Sequence, residues 1–145
     1  MELVVLEGVA GELRWQVGAG SVDGGQVMTT MNVIANDEIV GSAGFAGPIL
    51  YPDRPMSEWS GEIAGLQFVM ARVPADTTSI QLVLADGTKR PIGVSEPVEG
   101  KYRVAAAALG ANETMVALEH GVNRASVPAP VRSPLGTGWI ANEER

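Results

Sequence analysis

Apolar and polar side chains alternate along most of the chain. Leu13, Trp15 and Val17 share one parity, with Glu12, Arg14 and Gln16 on the other. Val27, Thr29, Met31 and Val33 form one face of the next run. Leu66, Phe68 and Met70 form another, with Gln67 on the reverse. Ile80, Leu82 and Leu84 are backed by Ser79 and Gln81, and Ile92 with Val94, Tyr102 with Val104 and Ala106, and Val116 with Leu118 follow. A period of two is the signature of a strand with one face in a core. Eight or nine strands at this spacing predict an all-β fold, an immunoglobulin-like sandwich.

The turns between these runs are well marked. Asp23-Gly24-Gly25 separates the strands around Val17 and Val27, and Asp86-Gly87 lies between Leu84 and Ile92. Asp-Gly between alternating runs is a strong hairpin signal, because a tight primed turn needs positive φ. Glu99-Gly100 precedes the strand from Lys101, and His120-Gly121 predicts a last hairpin between residues 114–119 and 122–127. The run Ala105 to Leu109, followed by Gly110, reads as one helical turn with a C-terminal glycine.

Two stretches break the alternation. Residues 42–61 hold three prolines with Phe45, Tyr51 and Trp59, and read as one long irregular loop. Loops of more than about 12–15 residues are usually functional or disordered, and aromatic area argues against disorder. Residues 128–145 begin with Pro128, Pro130 and Pro134 and carry Trp139 and Ile140 before a charged end. Such a start cannot be a central strand. The expected organisation is a domain over 1–127 and an extended tail over 128–145, anchored by its two apolar residues.

Composition narrows the chemistry. Of 145 residues, 18 are Val, 7 Ile and 7 Thr, a β-favouring content. There is no cysteine and one histidine, His120. That excludes disulfides, zinc–thiolate sites, iron–sulfur clusters and a cysteine nucleophile. His120 alone cannot build a multi-histidine metal site, and it reads as a partly buried residue capping a strand end. No metal and no cofactor is expected. The net charge is -7, of which -6 falls on residues 1–72. An acidic surface disfavours nucleic acid and anionic membrane. The longest apolar run, Val104 to Leu109, is far short of the roughly 20 residues of a membrane-spanning helix. The chain opens without the basic and apolar regions of a secretory signal. The expected location is the cytoplasm, or outside it or on a virion if a leader is removed. The basic group Lys89, Arg90, Lys101 and Arg103 reads as solvated strand faces with Glu96 and Glu99 nearby; an anion patch is the sharper alternative.

Catalytic constellations are sparse. Gly41-Ser42-Ala43-Gly44 misses the G-x-S-x-G nucleophile elbow by one position. Gly18-Ala19-Gly20 lacks the context of a phosphate loop and reads as a strand end. Asn112-Glu113-Thr114 matches the glycosylation acceptor pattern. Asp37-Glu38 follows Asn36 in a turn and is expected to be solvated. Asp53 and Glu58, beside Tyr51 and Trp59, are the best carboxylate pair for a hydrolase, which requires them to converge at roughly 5–9.5 Å. Carboxylates with aromatics also suit carbohydrate or calcium, though a loop closing the end of the core is the default.

Residues 74–127 resemble β-rich, immunoglobulin-like domains of uncharacterised actinobacterial proteins, many of them surface-exposed behind a membrane anchor. The resemblance lies in Val73-Pro74-Ala75-Asp76, Ser79 to Thr88, Tyr102 to Ala107 with Leu109, and Met115 to Glu119. It implies two strands joined by Asp-Gly, a strand ending in alanines and a final strand, with no catalytic residues. The expected function is a non-catalytic binding or structural module acting through protein–protein contacts, with Tyr51, Trp59, Trp139 and Ile140 as contact residues. Exposed aromatics mark interfaces. The alternatives are a subunit of a larger assembly, such as a virion decoration or secreted complex component docking by its tail, and the carboxylate-dependent hydrolase.

Overall fold

The computed structural model describes residues 3–50, 56–120 and 123–126. Tyr51, Asp53, Trp139, Ile140 and the tail lie outside these residues. The fold is an all-β sandwich, as the alternation predicts. Its strands are β1 (Leu3–Ala10), β2 (Leu13–Ser21), β3 (Val27–Ala35), β4 (Glu38–Gly47), β5 (Ser57–Ile63), β6 (Leu66–Pro74), β7 (Ile80–Leu84), β8 (Lys89–Val94), β9 (Tyr102–Leu109), β10 (Met115–His120) and β11 (Asn123–Ser126). One sheet is the meander β1-β2-β3-β4; the other runs β11-β10-β7-β8-β9-β6-β5, and every pairing is antiparallel. Within the second sheet the order β10-β7-β8-β9 is a Greek key.

The described residues hold eleven strands where alternation alone counts eight or nine. Much of the difference is in residues 42–61, which are not one irregular loop. β4 extends through Phe45 to Gly47, and β5 begins at Ser57. Their glycines and serines hide the alternation: Gly41 and Gly44 sit where a Cβ would come within 2.8 Å of Ile63 or of the Thr29 carbonyl. The helical turn expected at Ala105 to Leu109 is also absent, because these residues continue β9.

β6 and β9 explain that strand. Phe68 and Met70 of β6, with Tyr102, Val104 and Ala106 of β9, pack against Trp15, Val17, Met31, Val33 and Phe45 of the first sheet. Val69, Ala71 and Val73, with Ala105, Ala107 and Leu109, pack on the opposite face against Ile80, Leu82, Met115 and Leu118 of β7 and β10. The expectation of one buried face per strand therefore fails at β6 and β9, which are buried on both. A strand covered on both sides reads as a continuous apolar run. Alanine at 105–108 keeps this middle layer thin.

The second sheet wraps over both faces by switching partners along β8. Lys89 to Ile92 pair with β7, but only Gly93 and Val94 pair with β9. Arg90 closes the resulting seam. It donates from Nη2 to the Ala108 carbonyl at 2.9 Å and binds both Glu113 oxygens, at 2.9 and 3.0 Å. Glu113 in turn accepts from the Gly110 N–H at 2.8 Å. The Arg90 guanidinium, then the Gly110 amide, hold the Glu113 carboxyl below its ordinary pKa.

Arg72 is a charged side chain in the interior that ties the sheets together. It is fully buried on β6, donating to Thr29 Oγ1 at 2.9 Å and to the carbonyls of Ile49, Phe45 and Pro48 at 3.2–3.3 Å. Its guanidinium carbon lies 4.1 Å from the centre of the Phe45 ring. A buried guanidinium is tolerated only with its donors satisfied, so this network fixes how β4 leaves the first sheet.

The turns expected at Asp86-Gly87 and Glu99-Gly100 form. Asp86 accepts from the Thr88 N–H at 2.9 Å and from Thr88 Oγ1 at 2.7 Å, which lowers its pKa. Asn36 and Asp37 (φ 52° and 64°) and Glu99 and Gly100 (φ 54° and 69°) have the successive positive φ of tight primed hairpins. In β10 a bulge between Met115 and Ala117 shifts the register. Met115 and Leu118 are core residues as a result, and Val116 does not share a face with Leu118 as the alternation predicts.

Candidate binding surfaces

The residues singled out as contacts separate in the structure. Trp59 is wholly buried (0% exposed) in the core between the two sheets, so it is a packing residue and not a surface anchor. Strand β5 accounts for this: Trp59 pairs with Met70 and points with it into the core. Glu58, one residue earlier, pairs with Ala71, faces the other way and is 4% exposed. Tyr51, Trp139 and Ile140, and Asp53 of the carboxylate pair, lie outside the described residues.

The basic group is largely consumed by structure. Arg90 holds the seam to Glu113, Lys89 meets Glu119 at 2.8 Å, and Arg103 donates to the Ala75 and Ser95 carbonyls at 2.7 and 3.2 Å. Lys101 is exposed. His120 sits at the end of β10, as its parity suggests, with Nδ1 2.9 Å from the Ser79 carbonyl. Asp37 is exposed at its turn, 3.8 Å from Arg14. Among the described residues no group of three or more His, Asp or Glu side chains is placed to hold a metal ion.

Two surfaces emerge that alternation did not single out. The first is strand β1, at the edge of the four-stranded sheet. Leu3, Val4 and Val9 are 68, 51 and 70% exposed, while Val5 and Leu6 pack on the core. The bulge between Val4 and Leu6 lets neighbouring apolar residues take these different environments. Edge strands are normally blunted by charge, and here Glu7 is the one charge on β1. The sequence does carry a signal: Leu3 to Leu6 is an unbroken apolar run in a pleated strand, so alternate residues must face outward unless a further layer covers them.

β1 is also specified more tightly than its exposure suggests. The Trp15 indole packs directly on Gly8, where a Cβ would come within 2.3 Å of its ring. A shallow groove next to it, about 290 Å³, runs between Leu6 to Val9 and the β8–β9 pair.

The second surface is a cavity of about 480 Å³ at one end of the sandwich, between the β1–β2 pair and residues 96–102. Leu3, Val4, Val5 and Ala19 line one side; Pro97, Val98 and Tyr102 line the other, with Glu96 and Glu99. Burial raises the Tyr102 pKa; Arg72 opposes this and Glu99 adds to it. The hairpin is held by Val98 N–H donating to the Tyr102 carbonyl at 2.6 Å and Lys101 N–H to the Val98 carbonyl at 2.9 Å. Ser95 fastens its base, its hydroxyl accepting from the Val104 N–H at 3.0 Å. Local turn chemistry at Glu99-Gly100 thus sets where the acidic rim stands. In comparisons with known proteins, the chain matches no family model, no curated protein and no solved structure.

Proposed function

We propose that this chain is a non-catalytic binding or structural module acting through protein–protein contacts, with the β1 edge as its contact surface. The observation that supports the reading is the apolar exposure of Leu3, Val4 and Val9 on an edge strand. An open edge offers unpaired N–H and C=O groups to an added strand, and alternate side chains supply apolar area. The groove beside β1 gives such a strand a second wall.

The partner that the chain itself supplies is a second copy, joined edge to edge about a two-fold axis. The test is sedimentation velocity of the full chain over a concentration series, beside a Leu3→Lys/Val9→Lys double variant. The reading expects concentration-dependent association that the variant weakens by about tenfold or more. A chain that is monomeric throughout removes the second copy as the partner, and a variant that associates as well as the parent removes the β1 edge as the contact surface. Deleting residues 128–145 in parallel tests the assembly reading, in which the Trp139 and Ile140 segment of one copy docks on its neighbour. There the truncated chain keeps its fold and loses association.

A further inference from the structure

The cavity under Glu96 and Glu99 has the makings of a small-ligand site; it shares Leu3 and Val4 with the β1 contact surface, and its other wall is residues 96–102. Its volume of about 480 Å³ lies within the range of small-molecule pockets. Its walls are aliphatic. Its polar side chains are few, and each can accept a hydrogen bond: the exposed carboxylates of Glu96 and Glu99, the Tyr102 phenol and the Ser21 hydroxyl.

Tyr102 is the informative residue. It is 1% exposed and lines the cavity, yet among the described residues its hydroxyl has no hydrogen-bond partner. Buried tyrosine hydroxyls usually find a partner, and an unmet one costs free energy that a ligand's polar group recovers. A phenol is neutral at physiological pH, and burial raises the Tyr102 pKa further, so the hydroxyl can accept a hydrogen bond as well as donate one.

We propose that this cavity binds a small amphiphilic amine, its alkyl body against Leu3, Val5, Ala19 and Val98 and its ammonium group between the Tyr102 hydroxyl and the carboxylates of Glu96 and Glu99. An ammonium carries donors only, and every polar side chain lining the cavity can accept: the two carboxylates only accept, and the hydroxyls of Tyr102 and Ser21 accept as well as donate. Hydrogen bonds between an ammonium and a carboxylate are the stronger, charge-assisted kind. An alcohol of the same length keeps the apolar contact and loses the ion pair. A carboxylate of the same length meets like charge. Selectivity by head-group charge is therefore the signature of the site.

The test is an amide-resolved NMR titration of the full chain with hexylamine, hexanol and hexanoate as probes. The expected result is saturable shifts confined to amides of residues 3–5, 19–21 and 96–102 with hexylamine, and affinity at least about tenfold weaker for the other two. Higher salt weakens hexylamine binding more than hexanol binding. A Glu96→Gln/Glu99→Gln variant, whose changes are on exposed side chains, retains the native spectrum and binds hexylamine no better than hexanol. Tyr102→Phe lowers hexylamine affinity several-fold while leaving the two glutamates in place. Equal affinity for all three probes, shifts spread over the whole acidic surface, or an unchanged affinity in the glutamate variant would each overturn the proposal.

Discussion

β1 and β6 are both strands dominated by apolar residues, and they have opposite fates. β6, Leu66–Pro74, is buried on both faces between the four-stranded sheet and the β7–β10 layer. β1, Leu3–Ala10, sits at a sheet edge and leaves three of its apolar side chains largely in water. Apolar content alone does not separate them. Position in the sheet order does, because β6 has a strand on each side and a layer on each face, while β1 has one neighbour and one covered face. The apolar residues of β6 therefore contribute to packing on both faces, while Leu3, Val4 and Val9 of β1 contribute little to the core.

The contrast is broken most directly by truncating each strand. Phe68→Ala, in the fully buried layer, is expected to cost about 3–5 kcal/mol through lost burial and the cavity left behind. Chemical denaturation measures it, and a loss below about 1 kcal/mol would mean the layer is looser than its burial implies. Gly8→Ala probes the one crowded point of β1. Its Cβ must push the Trp15 ring aside, for an expected cost of about 1–3 kcal/mol, seen in the same melts together with a change in tryptophan fluorescence. If Gly8→Ala is neutral, β1 is a loosely attached strand throughout.

The seam at β8 gives a smaller effect with a pH signature. Glu113 has a lowered folded-state pKa, so it contributes stability above its ordinary unfolded pKa of about 4.5 and loses it as pH falls through the folded value. Both partners are partly exposed, which holds the contribution below about 1 kcal/mol. Glu113→Gln should therefore flatten the acid limb of the stability profile and change little at neutral pH beyond that amount. An acid limb identical to the parent's would assign the seam to backbone pairing alone. Smallest of all, Val9→Lys on the exposed edge is expected to leave stability within about 0.5 kcal/mol. A larger loss would show that the outer face of β1 is part of the core after all.

Much of the architecture was legible in the alternation. Trp15 and Val17, Val27 to Val33, Ile80 and Leu82, and the Asp86-Gly87 and Glu99-Gly100 turns all fall where spacing and turn chemistry put them. Legibility failed where a physical cue was missing. β4 and β5 carry Gly41 and Gly44, where a Cβ would meet Ile63 or the Thr29 carbonyl, and the buried Ser57 and Ser60, so no hydrophobic period was there to read. Ala105 to Ala108 suit a helix by intrinsic propensity, and the packing of two layers overrode it. At the candidate sites, Trp59 was misplaced because an aromatic among prolines looks like a loop residue until its strand partner Met70 is known.

By itself the sequence determined the strand-forming segments, most of the turns, the acidic balance and the exclusion of thiol chemistry, because each follows from local periodicity or from composition. Only the tertiary structure decided that β6 and β9 are buried twice, that β1 is a sheet edge among the described residues, and that Glu96, Glu99 and Tyr102 share a cavity with Leu3 and Ala19. Those facts depend on which distant strands become neighbours, and a period of two states that a strand has two faces without stating what covers either one.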